Sequence, residues 1–135
     1  MPDVLLATDA DWINDEVEAA LADEATTVHR VRAGRDVEGA VRDLSPALVV
    51  LDLQIGNMGG IAACLNLRNE EGVGRLPAVP VLMLLDREAD IFLARRSTAE
   101  GWLLKPLDSL RLRRAATALL SGGTYTEGER DLTPR

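Results

Sequence analysis

The apolar positions of this chain alternate between short runs and helical stripes. DVLLAT (3–8) is an apolar run that stops at polar residues and predicts a strand. In residues 11–24, Trp12, Ile13, Val17, Ala20 and Leu21 recur at helical spacing between acids, which predicts a helix. TTVHRVR (26–32) sets Val28 and Val31 among polar residues and reads as a strand. DVEGAVRDL (36–44) reads as a short helix with Asp36 as its N-cap after Gly34. Gly39 weakens it by about 1 kcal/mol relative to alanine. ALVVLDL (47–53) follows Pro46 and is apolar without alternation, as in a strand buried on both faces of a parallel sheet. The pattern continues with a helix (59–71), a second continuous apolar strand VPVLMLL (79–85), a helix (88–98), a short strand GWLLK (101–105) and a last helix (107–120). Five strand-helix repeats predict an α/β fold, a five-stranded parallel sheet with helices on both faces and right-handed crossovers.

A length of 135 residues suits one domain, expected over 1–120, with no room for a separate effector domain. The remainder, SGGTYTEGERDLTPR (121–135), is polar and expected to be a poorly ordered tail. Hydrophobic residues make up 47% and aromatics only 3%, so aliphatic side chains and alanine must build the core. The net charge of −7 argues against a general nucleic-acid binder. The single Cys64 cannot form an internal disulfide, which points to a reducing compartment. No signal-like start and no apolar run of about 18 residues occurs, so a cytoplasmic chain without a membrane span is expected.

Ligands of open parallel α/β sheets bind outside the carboxyl ends of the strands. Here those ends carry Thr8-Asp9 with Asp11 behind, Asp52, Leu85-Asp86 and Lys105-Pro106. Two or three carboxylates and one lysine therefore converge on one edge. The blocks LLATDAD, PALVVLDLQIGNMGG, VPVLMLLD and AEGWLLKPL resemble those of a response-regulator receiver domain, over about residues 3 to 120. The resemblance implies a CheY-like, flavodoxin-like doubly wound sheet of order 2-1-3-4-5. It implies that Asp52 accepts a phosphoryl group from a sensor histidine kinase. A carboxylate is a competent nucleophile for that step. It also implies a Mg²⁺ ion held by Asp9, Asp52 and the backbone carbonyl of Gln54, a hard oxygen set suited to that cation. Lys105 matches the lysine that pairs with the acid and then with the phosphoryl group, as a compact charge on a long stem. In such chains the peptide bond before Pro106 is often cis.

The chain departs from the family pattern in several places. Thr8 replaces the first of two adjacent acids, and Asp11 lies one turn too far to stand in for it, so a weakened metal site is expected. Leu85 replaces the Ser or Thr whose hydroxyl normally reports the phosphoryl group. Asp86 replaces a small neutral residue. Leu85 to Lys105 spans 20 positions, about two fewer than the family pattern, so the loop that normally switches is shortened. Gly56 stands where proline is frequent. Trp102 stands where a rotating Tyr or Phe is usual, and its size predicts one fixed orientation.

His29 and Cys64 read as structural, the latter packed on a helix among Ile61, Ala62, Ala63 and Leu65. Gly56, Gly59 and Gly60 fit no phosphate-cradling motif and read as the means of a tight turn beside the pocket. Arg111, Arg113 and Arg114 form the densest basic run. With Arg95 and Arg96 they read as a solvated face, or as a basic patch for an acidic partner, on the family's usual partner surface of fourth helix, fifth strand and fifth helix. The expected function is an atypical, standalone response regulator that acts by protein-protein contact and is not an enzyme. The alternatives are a phosphorylation-independent interaction or homodimerisation module, and a flavodoxin-like small-ligand binder, for which no nucleophile-base pair is evident.

Overall fold

The computed structural model describes residues 2–128. The elements are β1 (Asp3–Ala7), α1 (Asp11–Leu21), β2 (Thr27–Val31), α2 (Val37–Leu44), β3 (Leu48–Asp52), α3 (Gly60–Gly72), β4 (Val81–Leu85), α4 (Ile91–Arg96), β5 (Gly101–Leu104) and α5 (Ser109–Leu120). All five strands pair in parallel in the order β2-β1-β3-β4-β5. Fold class, strand order and element sequence are those expected from the chain's pattern.

β3 up to Asp52 and the whole of β4 are apolar because each face of the sheet has a helical layer of its own. Val49 and Leu51 of β3, with Val81, Met83 and Leu85 of β4, meet α2, α3 and α4 through Val41, Ala63, Leu67 and Ile91. Leu48 and Val50, with Leu82 and Leu84, meet α1 and α5 through Ile13, Val17, Leu112 and Leu119. Each Val or Leu buried this way contributes roughly 1.5–3 kcal/mol. The two layers hold the strand ends fixed, and with them the groups at the carboxyl edge.

Several local details differ from the sequence pattern. Single-turn 3-10 segments, Gly34–Asp36 and Glu88–Asp90, lead into α2 and α4. Asp36 occupies the N-cap position of α2 with a helical backbone and makes no side-chain cap, because the 3-10 turn already supplies the helix entry. A carboxylate does cap α5, where Asp108 accepts the Arg111 N–H at 2.9 Å. The tight turn after β3 is made by Asn57 (φ 52°) and Met58 (φ 75°), not by the glycines. Gly60 is required for space instead: a Cβ there would lie 2.7 Å from the Asp52 carbonyl oxygen.

The segment after α5 also differs from the poorly ordered tail its composition suggested. Within residues 121–128, Tyr125 forms a parallel bridge with Gly101 at the edge of the sheet. The rest of that tail, 129–135, lies outside the described residues. No helix among the described residues is long and apolar enough to cross a membrane.

Candidate functional site

The carboxyl ends of β1, β3, β4 and β5 bring Thr8, Asp52, Asp86 and Lys105 together. Asp52 ends β3 and is only 2% exposed. Each of its oxygens is engaged. Oδ1 accepts the Lys105 ammonium at 2.7 Å and the Gln54 N–H at 3.1 Å. Oδ2 accepts the Thr8 hydroxyl at 2.7 Å. A buried carboxylate is tolerated because cation, hydroxyl and amide together satisfy it.

Lys105 is shared. Its ammonium also donates to Asp86 Oδ1 at 3.0 Å. Asp86 thus turns inward, toward the pocket lysine, and its Oδ2 is buried without a hydrogen-bond partner. The Lys105-Pro106 bond is cis.

Asp9 lies on the exposed rim. Its Oδ2 accepts the Gly56 N–H at 3.1 Å, which ties the β1 end to the loop after β3. The backbone of that loop is further clamped by Gly34 and Arg35, whose N–H groups donate to Gly56 and Asn57 carbonyls at 3.0 and 2.7 Å. Asp11 is drawn away. Hydrogen bonds and charge from Arg30, then Arg32, hold its carboxyl below the usual range. It does not stand in for the acid that Thr8 lacks. Among the described residues no three His, Cys, Asp or Glu side chains group closely enough to hold a metal. A cation at this edge would take Asp9, Asp52, the Gln54 carbonyl and water. That set fits Mg²⁺, which keeps several waters and uses one or two carboxylates.

Leu85 faces neither the pocket nor solvent. It is fully buried in the core layer that also holds Ile91, Ala94 and Trp102. Trp102 is 3% exposed, with its indole N–H donating to the Glu127 carbonyl at 3.0 Å and the Arg95 guanidinium 5.9 Å from the ring centroid.

The model of the response regulator receiver domain matches residues 4–117. The chain belongs to the receiver domain family. As a receiver domain it is a part of two-component signalling, not an enzyme, and the small-ligand reading is set aside. It is 27% identical over 125 residues to the transcriptional regulatory protein AfsQ1 of Streptomyces coelicolor, covering 91% of this chain and 53% of that one. It is 34% identical over 99 residues to the DNA-binding response regulator MtrA of Mycobacterium tuberculosis, covering 66% and 41%. The chain thus spans about half the length of the curated relatives it matches. The receiver domain of NtrX from Brucella abortus superimposes with a TM-score of 0.75 at 27% identity, covering 88% and 98%. Receiver domains typically bind Mg²⁺ at the phosphorylation site and interact with histidine kinases.

In this receiver domain the expected basic patch is divided. Arg96 lies 5.4 Å from the Phe92 ring on α4, and Arg113 and Arg114 are exposed on α5. Arg111 instead donates to Pro106 and Leu104 carbonyls, to Asp108 and to both oxygens of Glu127. Glu127 lies in the polar segment 121–135, where the sequence pattern predicts no element. The signal was the triplet Thr124-Tyr125-Thr126, rich in strand-forming residues, directly before it. His29 pairs with Asp3 at 3.2 Å and Cys64 is buried, its thiol donating to the Ser97 carbonyl and its pKa raised by burial.

Proposed function

We propose that this receiver domain is an atypical one, in which Asp52 takes a phosphoryl group from a histidine kinase with little change of shape. The arrangement of Asp52 supports the reading: one lysine, one hydroxyl and one amide hold its carboxylate at the mouth of a fixed strand end. In the transfer, one Asp52 oxygen forms a bond to phosphorus as the bond from phosphorus to the donor breaks, and the donor leaves with that electron pair. Lys105 orients the carboxylate beforehand and then neutralises the new phosphoryl oxygens. Asp9 and the Gln54 carbonyl would hold Mg²⁺, which when bound offsets the repulsion between nucleophile and donor. Thr8 contributes a hydroxyl in place of a charge, and binding of that ion is weaker for it.

Output is proposed through the face formed by α4, β5 and α5, in the cytoplasm, by contact with a partner protein or a second copy. A phosphorylation-independent module is the second reading. It is favoured by one observation, the Asp86 carboxylate already seated on Lys105. Intact mass after incubation with Mg²⁺ and a small phosphodonor separates the two. Wild type gains one phosphoryl group and Asp52→Asn gains none. A wild-type mass without adduct, or an equal adduct on the variant, overturns the first reading.

A further inference from the structure

The edge strand β5 is not open. Tyr125 pairs with it in parallel at a single bridge to Gly101, and residues 126–128 follow beside it without a further backbone ladder. The Trp102 N–H donates to the Tyr125 carbonyl at 2.9 Å, and the Tyr125 N–H to the Glu100 carbonyl at 3.4 Å. Two residues further on, the pairing changes character. The Leu104 N–H, next in line for a backbone carbonyl, is met at 2.8 Å by Glu127 Oε1. Arg111 of α5 closes on the same carboxylate, its Nε donating to Oε2 at 2.7 Å and its Nη2 to Oε1. The Glu127 carbonyl takes the Trp102 indole N–H. Beyond it, Gly128 lies against Ile91 and Glu88, at the start of α4, where a Cβ would come within 2.8 Å of the Ile91 side chain.

Four donors thus converge on one residue: an edge-strand amide, an indole and two nitrogens of a guanidinium. The guanidinium is itself fixed by Asp108 and by the Leu104 and Pro106 carbonyls. Burial pushes the Glu127 carboxyl up, but the hydrogen bonds from Arg111 and Leu104 and the charge of Arg111 outweigh it and hold it below the usual range. Such a cradle selects a carboxylate on an extended chain. The backbone pairing supplies affinity and the arginine supplies the choice of side chain.

We propose that the β5 edge with Arg111 is a receptor for an extended acidic segment, filled in cis by residues 124–128, and that a partner binds this face by presenting an equivalent carboxylate and displacing them. The edge belongs to the partner face of the preceding section and the physiological use of the receptor rests on that assignment. Its occupation by Glu127 involves neither Asp52 nor a metal, so the two readings fail separately. The same displacement frees the Trp102 indole N–H from the Glu127 carbonyl.

The test uses the whole chain, as wild type and as Glu127→Ala, with two end-blocked peptides. One has the sequence of residues 121–128 and the other has alanine for its glutamate. Amide hydrogen exchange is read at Trp102 and Leu104, with Val49 to Leu51 of β3 as the internal control. In Glu127→Ala the two β5 amides exchange about tenfold faster or more, while β3 is unchanged. The glutamate peptide restores their protection, the alanine peptide does not, and wild type responds to neither. Unchanged β5 exchange in the variant, or equal protection by the two peptides, overturns the proposal. If the variant also loosens β3, the same comparison is made on Glu127→Gln, which keeps the shape and removes the charge.

Discussion

Replacing Asp86 with alanine is expected to speed phosphorylation of Asp52 by a small phosphodonor about tenfold. The pocket has one cation and two carboxylates competing for it. Lys105 sits 2.7 Å from Asp52 and 3.0 Å from Asp86. Two like charges about 4 Å apart at an effective dielectric near 20 repel by about 4 kcal/mol. The Asp86 side chain is 31% exposed, so solvent screens a good part of that. A residual effect of about 1.4 kcal/mol on the barrier corresponds to tenfold in rate. Removing Asp86 therefore releases the lysine to the incoming phosphoryl group and takes away a fixed negative charge. The initial rate of adduct formation by intact mass reads the effect. A rate equal to or below wild type contradicts the assignment of Asp86 as a competing anion.

Replacing Lys105 with alanine should destabilise the fold by about 3 kcal/mol, since it strands buried carboxylate charge. The Lys105 side chain is 11% exposed and Asp52 2%, so water does not readily take the place of the ammonium. Asp86→Asn leaves the Lys105–Asp52 pair intact and should cost less than about 1 kcal/mol. The double variant Lys105→Ala with Asp52→Asn should recover most of the loss, because the buried charge at position 52 is gone and the Asp86 carboxylate that also loses its lysine is 31% exposed to water. Urea unfolding of the four proteins completes the comparison. A Lys105→Ala protein within about 1 kcal/mol of wild type would show that Asp52 relaxes without its lysine.

Much of this was legible in the sequence, for physical reasons. The unalternating runs at 48–52 and 81–85 are apolar because the sheet is covered on both faces, and that pattern alone implies parallel pairing. Asp52 stood out because a charge at the end of such a run must be satisfied by something. Lys105 sits 53 positions away and meets it because β3 and β5 end at the same edge on either side of β4. What was not legible depended on which way short side chains point. The inward turn of Asp86 follows from its bond to Lys105, and the loss of Asp11 to Arg30 and Arg32 follows from the register of β2 beside β1. Asn57 and Met58 adopt the left-handed turn that glycines seemed to supply, because the backbone clamp from Gly34 and Arg35 holds them there. Glu127 escaped notice because composition cannot show that an arginine on α5 waits for it.

Leu85 and Trp102 carry the claim that the pocket and the partner face are only loosely connected. Leucine at position 85 has no hydroxyl to offer a phosphoryl group and is packed with Ile91, Ala94 and Trp102 in one apolar layer. Movement of that layer would cost buried contact and return no hydrogen bond. The most direct test is a comparison of backbone amide chemical shifts in the unmodified and the fully phosphorylated protein. The account predicts changes confined to Thr8, Asp9, Asp52 to Gly56, Asp86 and Lys105, with α4 and the Trp102 indole unmoved. Shifts spreading through α4 and Trp102 at the size of those in the pocket would contradict it.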